Sequence, residues 1–424
     1  MTRARKTVEW VKTVAIALLS ASALLLAWRT ELYSGFFNAI PLFGSVAELV
    51  RGSTVAQESG GADIKEAARP LSIVITGGDG ARYGIKYDTD ARNAVYDRTS
   101  SILGEALGSA STLGEISEEE WREALSGPGV FFEYISPVRL SILGGWLGAR
   151  LPGAVDDVLL RRVCVAFGED KSRIYCQDVT RGLFFGADTA SAAGKMQELE
   201  IYSGNGAKFA FETGISAAEN SPYMLIMPGS DHPDIGSAAA GNAYELLDMT
   251  VAALGHEKFT TYYNRGLLVC VGTQFNINVD IGGQVLYRRT DGLPQYDDER
   301  ELDANAAIEQ ARLIVEETIG TTCGGAEVFF EALEYGTGDS CSVFFGYYIA
   351  GGRVFLHEDV HAARVSILSG TVAEVELIFR NFTFTGETTR LMPERQALAA
   401  AGSEFILSYS DAGQEVLRPS WVRS

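Results

Sequence analysis

Short runs of apolar and polar residues follow one another along this 424-residue chain, and their period changes from stretch to stretch. Strands are predicted at residues 71–76, 130–135, 163–167, 173–176, 208–212, 223–227, 327–335, 342–350, 353–356, 363–368, 372–382 and 405–409. A long hairpin is predicted over 267–279 and 284–288, where Asn276 and Asn278 alternate with Ile277 and Val279. Helical spacing marks 88–107, with Val95, Ile102 and Leu107 on one side, and also 138–147, 192–199, 237–254, 304–318 and 393–401. Ser117 with Glu120 three residues on forms a capping box, so a helix starts before Trp121. Gly77-Gly78-Asp79-Gly80, Gly282-Gly283 and Ser369-Gly370 read as tight turns. Helices and antiparallel strands follow one another without regular βαβ alternation, which makes the fold class α+β rather than doubly wound.

The first apolar run differs in kind. Arg3, Arg5, Lys6 and Lys12 precede an uncharged stretch from Thr13 to Trp28. Trp10 to Trp28 would span about 27 Å as a helix, close to a hydrocarbon core of about 30 Å, with an indole ring at each interface. A cleaved signal peptide is the rival reading. Against it, Ala21, Ser22 and Ala23 lie inside the run, Leu24-Leu25-Leu26 follows them, and no small-x-small site comes soon after Trp28. The expectation is a single N-terminal transmembrane helix with its N-terminus cytoplasmic and the bulk of the chain extracytoplasmic. Thr13, Ala17, Ser20, Ala21 and Leu24 fall on one face of that helix, and small residues there let another helix approach closely. The expected organisation is a stub and anchor at 1–30, a juxtamembrane segment and linker at 31–69, and three α+β units at 70–158, 159–295 and 296–424.

Composition narrows the classes. Hydrophobic residues make up 46% of the chain, too many for a disordered protein. Five cysteines in 424 residues exclude a disulfide-dense scaffold. The net charge is −20; four basic residues against one acid leave +3 on residues 1–12 and −23 on the rest. So acidic a body argues against nucleic acid as a partner. Cys164 and Cys176 flank a hairpin around residues 168–172. A symmetric five-residue loop would make them face each other, and a disulfide would then be allowed though not demanded. Cys270, Cys323 and Cys341 have no evident pairing and read as buried free thiols.

Few motifs carry chemistry. His357-Glu358-Asp359-Val360-His361 matches H-E-x-x-H, which on a helix places two imidazoles for zinc and a glutamate as general base. Here the flanks alternate like strands, and in a strand the two histidines would lie about 13 Å apart. A zinc peptidase on His357, Glu358 and His361 is therefore only a remote alternative. Gly229-Ser230-Asp231-His232 sets a serine, an aspartate and a histidine side by side, but a triad converges in space rather than in sequence, and Pro228 and Pro233 favour a turn. His256 follows Gly255 near a helix end, where a cationic imidazole would complement the dipole. Gly194-Lys195 lacks the P-loop pattern, and Asp88 with Asp90 lacks the further oxygens a calcium loop needs. No catalytic residue and no cofactor is implied.

The layout resembles the YycH family of membrane-anchored regulators of an essential cell-wall two-component system in low-GC Gram-positive bacteria. The resemblance rests on several features taken in order. They are the basic stub and anchor, Pro-Leu-Ser-Ile-Val-Ile-Thr at 70–76, Glu-Glu-Trp at 119–121 and Phe-Phe-Glu-Tyr-Ile-Ser-Pro-Val at 131–138. The late hairpin follows, with Tyr262-Tyr263-Asn264, Gly272-Thr273-Gln274-Phe275 and Tyr287-Arg288. The helix-plus-meander end also looks like a PepSY-type module. The resemblance implies a non-enzymatic protein whose transmembrane helix contacts a membrane sensor histidine kinase and whose external part pairs with a sister membrane-anchored regulator. The alternative is an extracytoplasmic module that binds or inhibits a peptide or protein.

Overall fold

A computed structural model describes residues 63–423 apart from 152–157, 169–170, 191–194, 291–301 and 358–359. The expected anchor, with Thr13, Ala17, Ser20, Ala21 and Leu24, lies outside these residues. Among the described residues, no helix is long and apolar enough to cross a membrane.

The chain opens with α1 (Asp63–Ala67), β1 (Ser72–Thr76) and β2 (Arg82–Ile85), then α2 (Thr89–Ser109). Asp88 caps α2 by accepting the Ala91 N–H at 3.0 Å, which accounts for that aspartate without a cation. There follow β3 (Gly114–Ile116), α3 (Glu118–Ser126), β4 (Gly129–Arg139) and α4 (Leu140–Trp146). The Ser117 hydroxyl accepts the Glu120 N–H at 3.1 Å and fixes the start of α3. Next come β5 (Leu159–Phe167), β6 (Ser172–Asp178) and β7 (Leu183–Thr189). These strands form a seven-stranded antiparallel sheet in the order β2-β1-β4-β5-β6-β7-β3. β4 pairs with β5, so this sheet continues across residue 158.

The short helix α5 (Met196–Leu199) and the pair β8 (Lys208–Phe209) and β9 (Leu225–Ile226) lead to β10 (Asp231–Ala239), α6 (Ala243–Ala253), β11 (Phe259–Asn264), β12 (Leu267–Gly272), β13 (Phe275–Val279) and β14 (Gln284–Arg289). After α7 (Ala304–Val315) come β15 (Glu327–Tyr335), β16 (Ser340–Ile349), β17 (Gly352–Leu356), β18 (Ala363–Leu368), β19 (Thr371–Ile378) and β20 (Arg380–Arg390). The chain ends with α8 (Glu394–Ala401), β21 (Phe405–Asp411), β22 (Val416–Leu417) and β23 (Pro419–Arg423). An eleven-stranded sheet runs β11-β12-β13-β14-β19-β18-β16-β17-β21-β23, with β15 also on β16. β14 pairs with β19, so this sheet continues across residue 295. β17 and β21 are its parallel neighbours, and a third sheet runs β20-β10-β22. The architecture is α+β with antiparallel sheets.

Strand alternation sorts the first sheet into two faces. Ile73, Ile75, Phe132, Val163 and Cys176 join a core that extends to Val285, Tyr347 and Val365 of the larger sheet. Val74, Phe131, Cys164 and Tyr175 join a second core with Trp121 and Phe209. This corrects the facing cysteines. Cys164 stands opposite Tyr175, and Cys176 opposite Val163, because Ser172 already pairs with Phe167 and the loop is one residue shorter than the symmetric reading assumed. A slip of one residue moves a side chain to the other face, so the two thiols point to opposite sides of the sheet and form no bridge. All five cysteines are buried and free. The predicted helix over 237–254 is also corrected: its first three residues belong to β10, and Asn242 caps a shorter α6.

Candidate functional site

A cleft of about 360 Å³ lies where α1, α4, the end of α7 and the β15–β16 pair meet. Trp146, Val315, Phe329, Phe330 and Phe345 give it apolar walls, while Glu66, Arg69, Arg312, Glu316 and Glu327 bring charge. After Val315 the helix widens into a π turn at Glu316–Gly320, a distortion common beside functional sites.

Each charge at the cleft has a partner. The Arg312 guanidinium is buried and bonds both Glu309, at 2.8 Å through Nε, and Glu316. Burial alone would weaken its hold on the proton, yet the two carboxylates raise its pKa. Burial would likewise raise the Glu309 carboxyl, but Arg312 holds it below the usual range, helped by the Trp146 indole N–H at 3.3 Å. Glu327 takes an ion pair from the buried Arg92 and lies 3.9 Å from Arg69. The Cys323 thiol sits 3.0 Å from the Ala326 carbonyl, and burial pushes it up to about 11, so it stays protonated. An apolar trough with a rim of both signs can hold an apolar side chain flanked by charges.

A second polar feature joins the two sheets. Glu133 on β4 is buried, accepts from Arg162 of β5 and lies 2.7 Å from its Nη2. Arg161 and Arg162 also reach Glu404, at 2.8 and 3.1 Å. Burial would raise the Glu133 carboxyl, but Arg162, Arg161 and Lys86 outweigh it and hold it low. Beside it, the fully buried Glu394 of α8 accepts from the Tyr87 hydroxyl and from the Met227 N–H at 2.5 Å. Burial raises its pKa despite Lys86 at 4.0 Å. His232 packs edge-on between Tyr87 and Trp421, with neither ring nitrogen hydrogen-bonded among the described residues. Burial, then Lys86, lowers it to about 4. At Gly351, with φ +69, an added Cβ would lie 2.4 Å from the Lys86 carbonyl, so the backbones of the two sheets touch there.

The sequence candidates are scattered. His357 follows β17, Glu358 lies outside the described residues, and His361 precedes β18. His361 bonds Glu331 at 2.6 Å, alongside Arg353 at 2.7 Å and the Tyr348 hydroxyl at 3.0 Å. Among the described residues, no three His, Cys, Asp or Glu side chains converge as metal ligands. Asp231 and His232 open β10 rather than a turn. His256 is not a cationic cap: it stacks on Phe275 with centroids 3.9 Å apart, and burial lowers its pKa. The cleft residues went unnoticed because they come from distant segments. The available signal was Val328-Phe329-Phe330, an apolar run whose side chains occupy both faces of β15.

No family model matches the sequence, and no curated protein matches it. Among solved structures, YycH from Bacillus subtilis aligns with a TM-score of 0.54 at 13% identity, over 87% of this chain and 95% of that one. The chain has a YycH-like fold. An uncharacterized protein from Eubacterium rectale aligns over 45% of this chain and 76% of its own, with a TM-score of 0.32 at 15% identity. The YycH-like fold includes both sheets described above, and the cleft and the buried charge seam are built where they meet.

Proposed function

We propose that this chain is a non-enzymatic, membrane-anchored extracytoplasmic regulator that modulates a sensor histidine kinase through its transmembrane helix and its external part. The observation that carries the reading is the YycH-like fold over 87% of the chain. The basic stub, the apolar run from Thr13 to Trp28 and the acidic remainder support it. Thr13, Ala17, Ser20, Ala21 and Leu24 are the residues proposed to meet the kinase helix, and a sister anchored regulator is the proposed external partner. Replacing residues 13–28 with an unrelated spanning helix is expected to abolish signalling while the protein stays in the membrane. Retained signalling would contradict the reading.

The cleft favours a second reading, an external peptide- or protein-binding module. Such a module should tolerate any anchor and lose its ligand when Ala326→Trp fills the cleft. Binding that survives Ala326→Trp would count against it.

A further inference from the structure

We propose that β11 joins two copies of this chain edge to edge, in an antiparallel register centred on Thr261. β11 is the end strand of the eleven-stranded sheet, and among the described residues no strand pairs with its outer side. It is exposed on both faces: Phe259 by 37%, Tyr262 by 51% and Tyr263 by 60%. A long edge strand with exposed aromatic residues is a template for another strand.

The geometry of the hairpin says which groups are free. Asn264 pairs with Leu267 across the two-residue turn Arg265-Gly266, whose φ values of 49° and 89° are both positive. Such a turn closes a hydrogen-bonded pair, so by alternation Thr260, Tyr262 and Asn264 direct their N–H and C=O groups to β12. Phe259, Thr261 and Tyr263 direct theirs outward.

A second copy related by a twofold axis must match these outward groups with each other. Placing the axis at Thr261 sets Phe259 against Tyr263, Thr260 against Tyr262 and Glu257 against Arg265. The first is an aromatic pair on one face and the second an aromatic and β-branched pair, both favourable cross-strand neighbours, and the third brings opposite charges together just beyond the strand ends. Moving the axis by one residue either way separates Glu257 from Arg265 and Phe259 from Tyr263. The segment 257–265 carries Glu257, Lys258 and Arg265 and so is locally basic in an acidic chain, which relieves repulsion at the contact. Closed twofold pairing also uses up the free edge, so it ends at two copies. The inference does not depend on the regulatory reading.

The test uses the full-length chain in detergent, with sedimentation to report mass. The expected result is a concentration-dependent dimer that Thr261→Pro abolishes without unfolding the chain, because the lost N–H faces outward rather than into the ladder. Arg265→Glu should weaken the dimer about tenfold, and the double variant Glu257→Arg with Arg265→Glu should restore it. Thr261→Cys should give a covalent dimer on oxidation with copper phenanthroline, since paired Cα atoms about 5.5 Å apart suit a disulfide; Thr260→Cys should cross-link less. A chain that stays monomeric at every concentration would overturn the proposal. So would a dimer that Thr261→Pro and Arg265→Glu leave unchanged.

Discussion

Two turns of the eleven-stranded sheet have nearly the same backbone and opposite surroundings. Arg265-Gly266 joins β11 to β12 with φ values of 49° and 89°; Ala350-Gly351 joins β16 to β17 with 48° and 69°. A Cβ on Gly266 would meet no described atom within 4 Å, whereas one on Gly351 would strike the Lys86 carbonyl. Local conformation is the same, so the difference is purely tertiary. At the Gly351 end the sheet is pressed against its neighbour, and every charge caught there needs a counter-charge. At the Gly266 end it stops in solvent, and the strand carries exposed aromatic residues, with Tyr263 touched edge-on by Tyr244. The first arrangement fixes two sheets as one body. The second leaves a surface for association.

The largest expected effect comes from breaking the seam. Glu133→Ala would leave the buried Arg162 with only the partly exposed Glu404 carboxylate, and a loss of about 3 kcal/mol is expected, read from chemical denaturation. Gly351→Ala should cost about 2–3 kcal/mol, since backbone strain and a backbone clash add, while Gly266→Ala should cost only about 1 kcal/mol. Equal losses at the two turns would remove the tertiary difference. His232 supplies a pH signature. Its folded pKa of about 4 lies below its ordinary value of 6.5, so the folded chain resists a proton that the unfolded chain takes up. Stability should therefore fall between pH 6.5 and 4, by up to about 1.4 kcal/mol per unit. Glu394, raised in the fold, works in the opposite direction nearer its own range, and Glu133, held low, loses its contribution only below the ordinary carboxylate range. His232→Phe should flatten the decline, and urea midpoints across that pH range would show it. The smallest effect belongs to the free edge: Tyr262→Thr should change the stability of the single chain by less than about 0.5 kcal/mol.

Much of the fold was legible where local signals suffice. Ser117 marked α3 because a cap is a local bond, and the strand 363–368 and the turn Ser369-Gly370 came out as predicted because one face is buried. What failed was what distance decides. The loop of β5–β6 differed from expectation by one residue, and that alone put Cys164 and Cys176 on opposite faces. β10 was hidden because Asp231, Pro233 and Asp234 resemble turn residues; a bulge between Pro233 and Ile235 accommodates them. β11 went unpredicted because a strand exposed on both faces has no alternation to read. The cleft and the seam draw on segments hundreds of residues apart, such as Arg92 with Glu327 and Arg161 with Glu404, and no spacing rule connects those.

The regulatory reading stands on the proposed contact between the expected N-terminal anchor and a partner helix. A photo-reactive amino acid at Ala17, activated in native membranes and followed by mass spectrometry, probes that contact. Capture of a sensor histidine kinase, lost when Ala17 carries the probe beside Ala21→Phe, is the expected result. A probe that meets only lipid would contradict it and move the function to the external part.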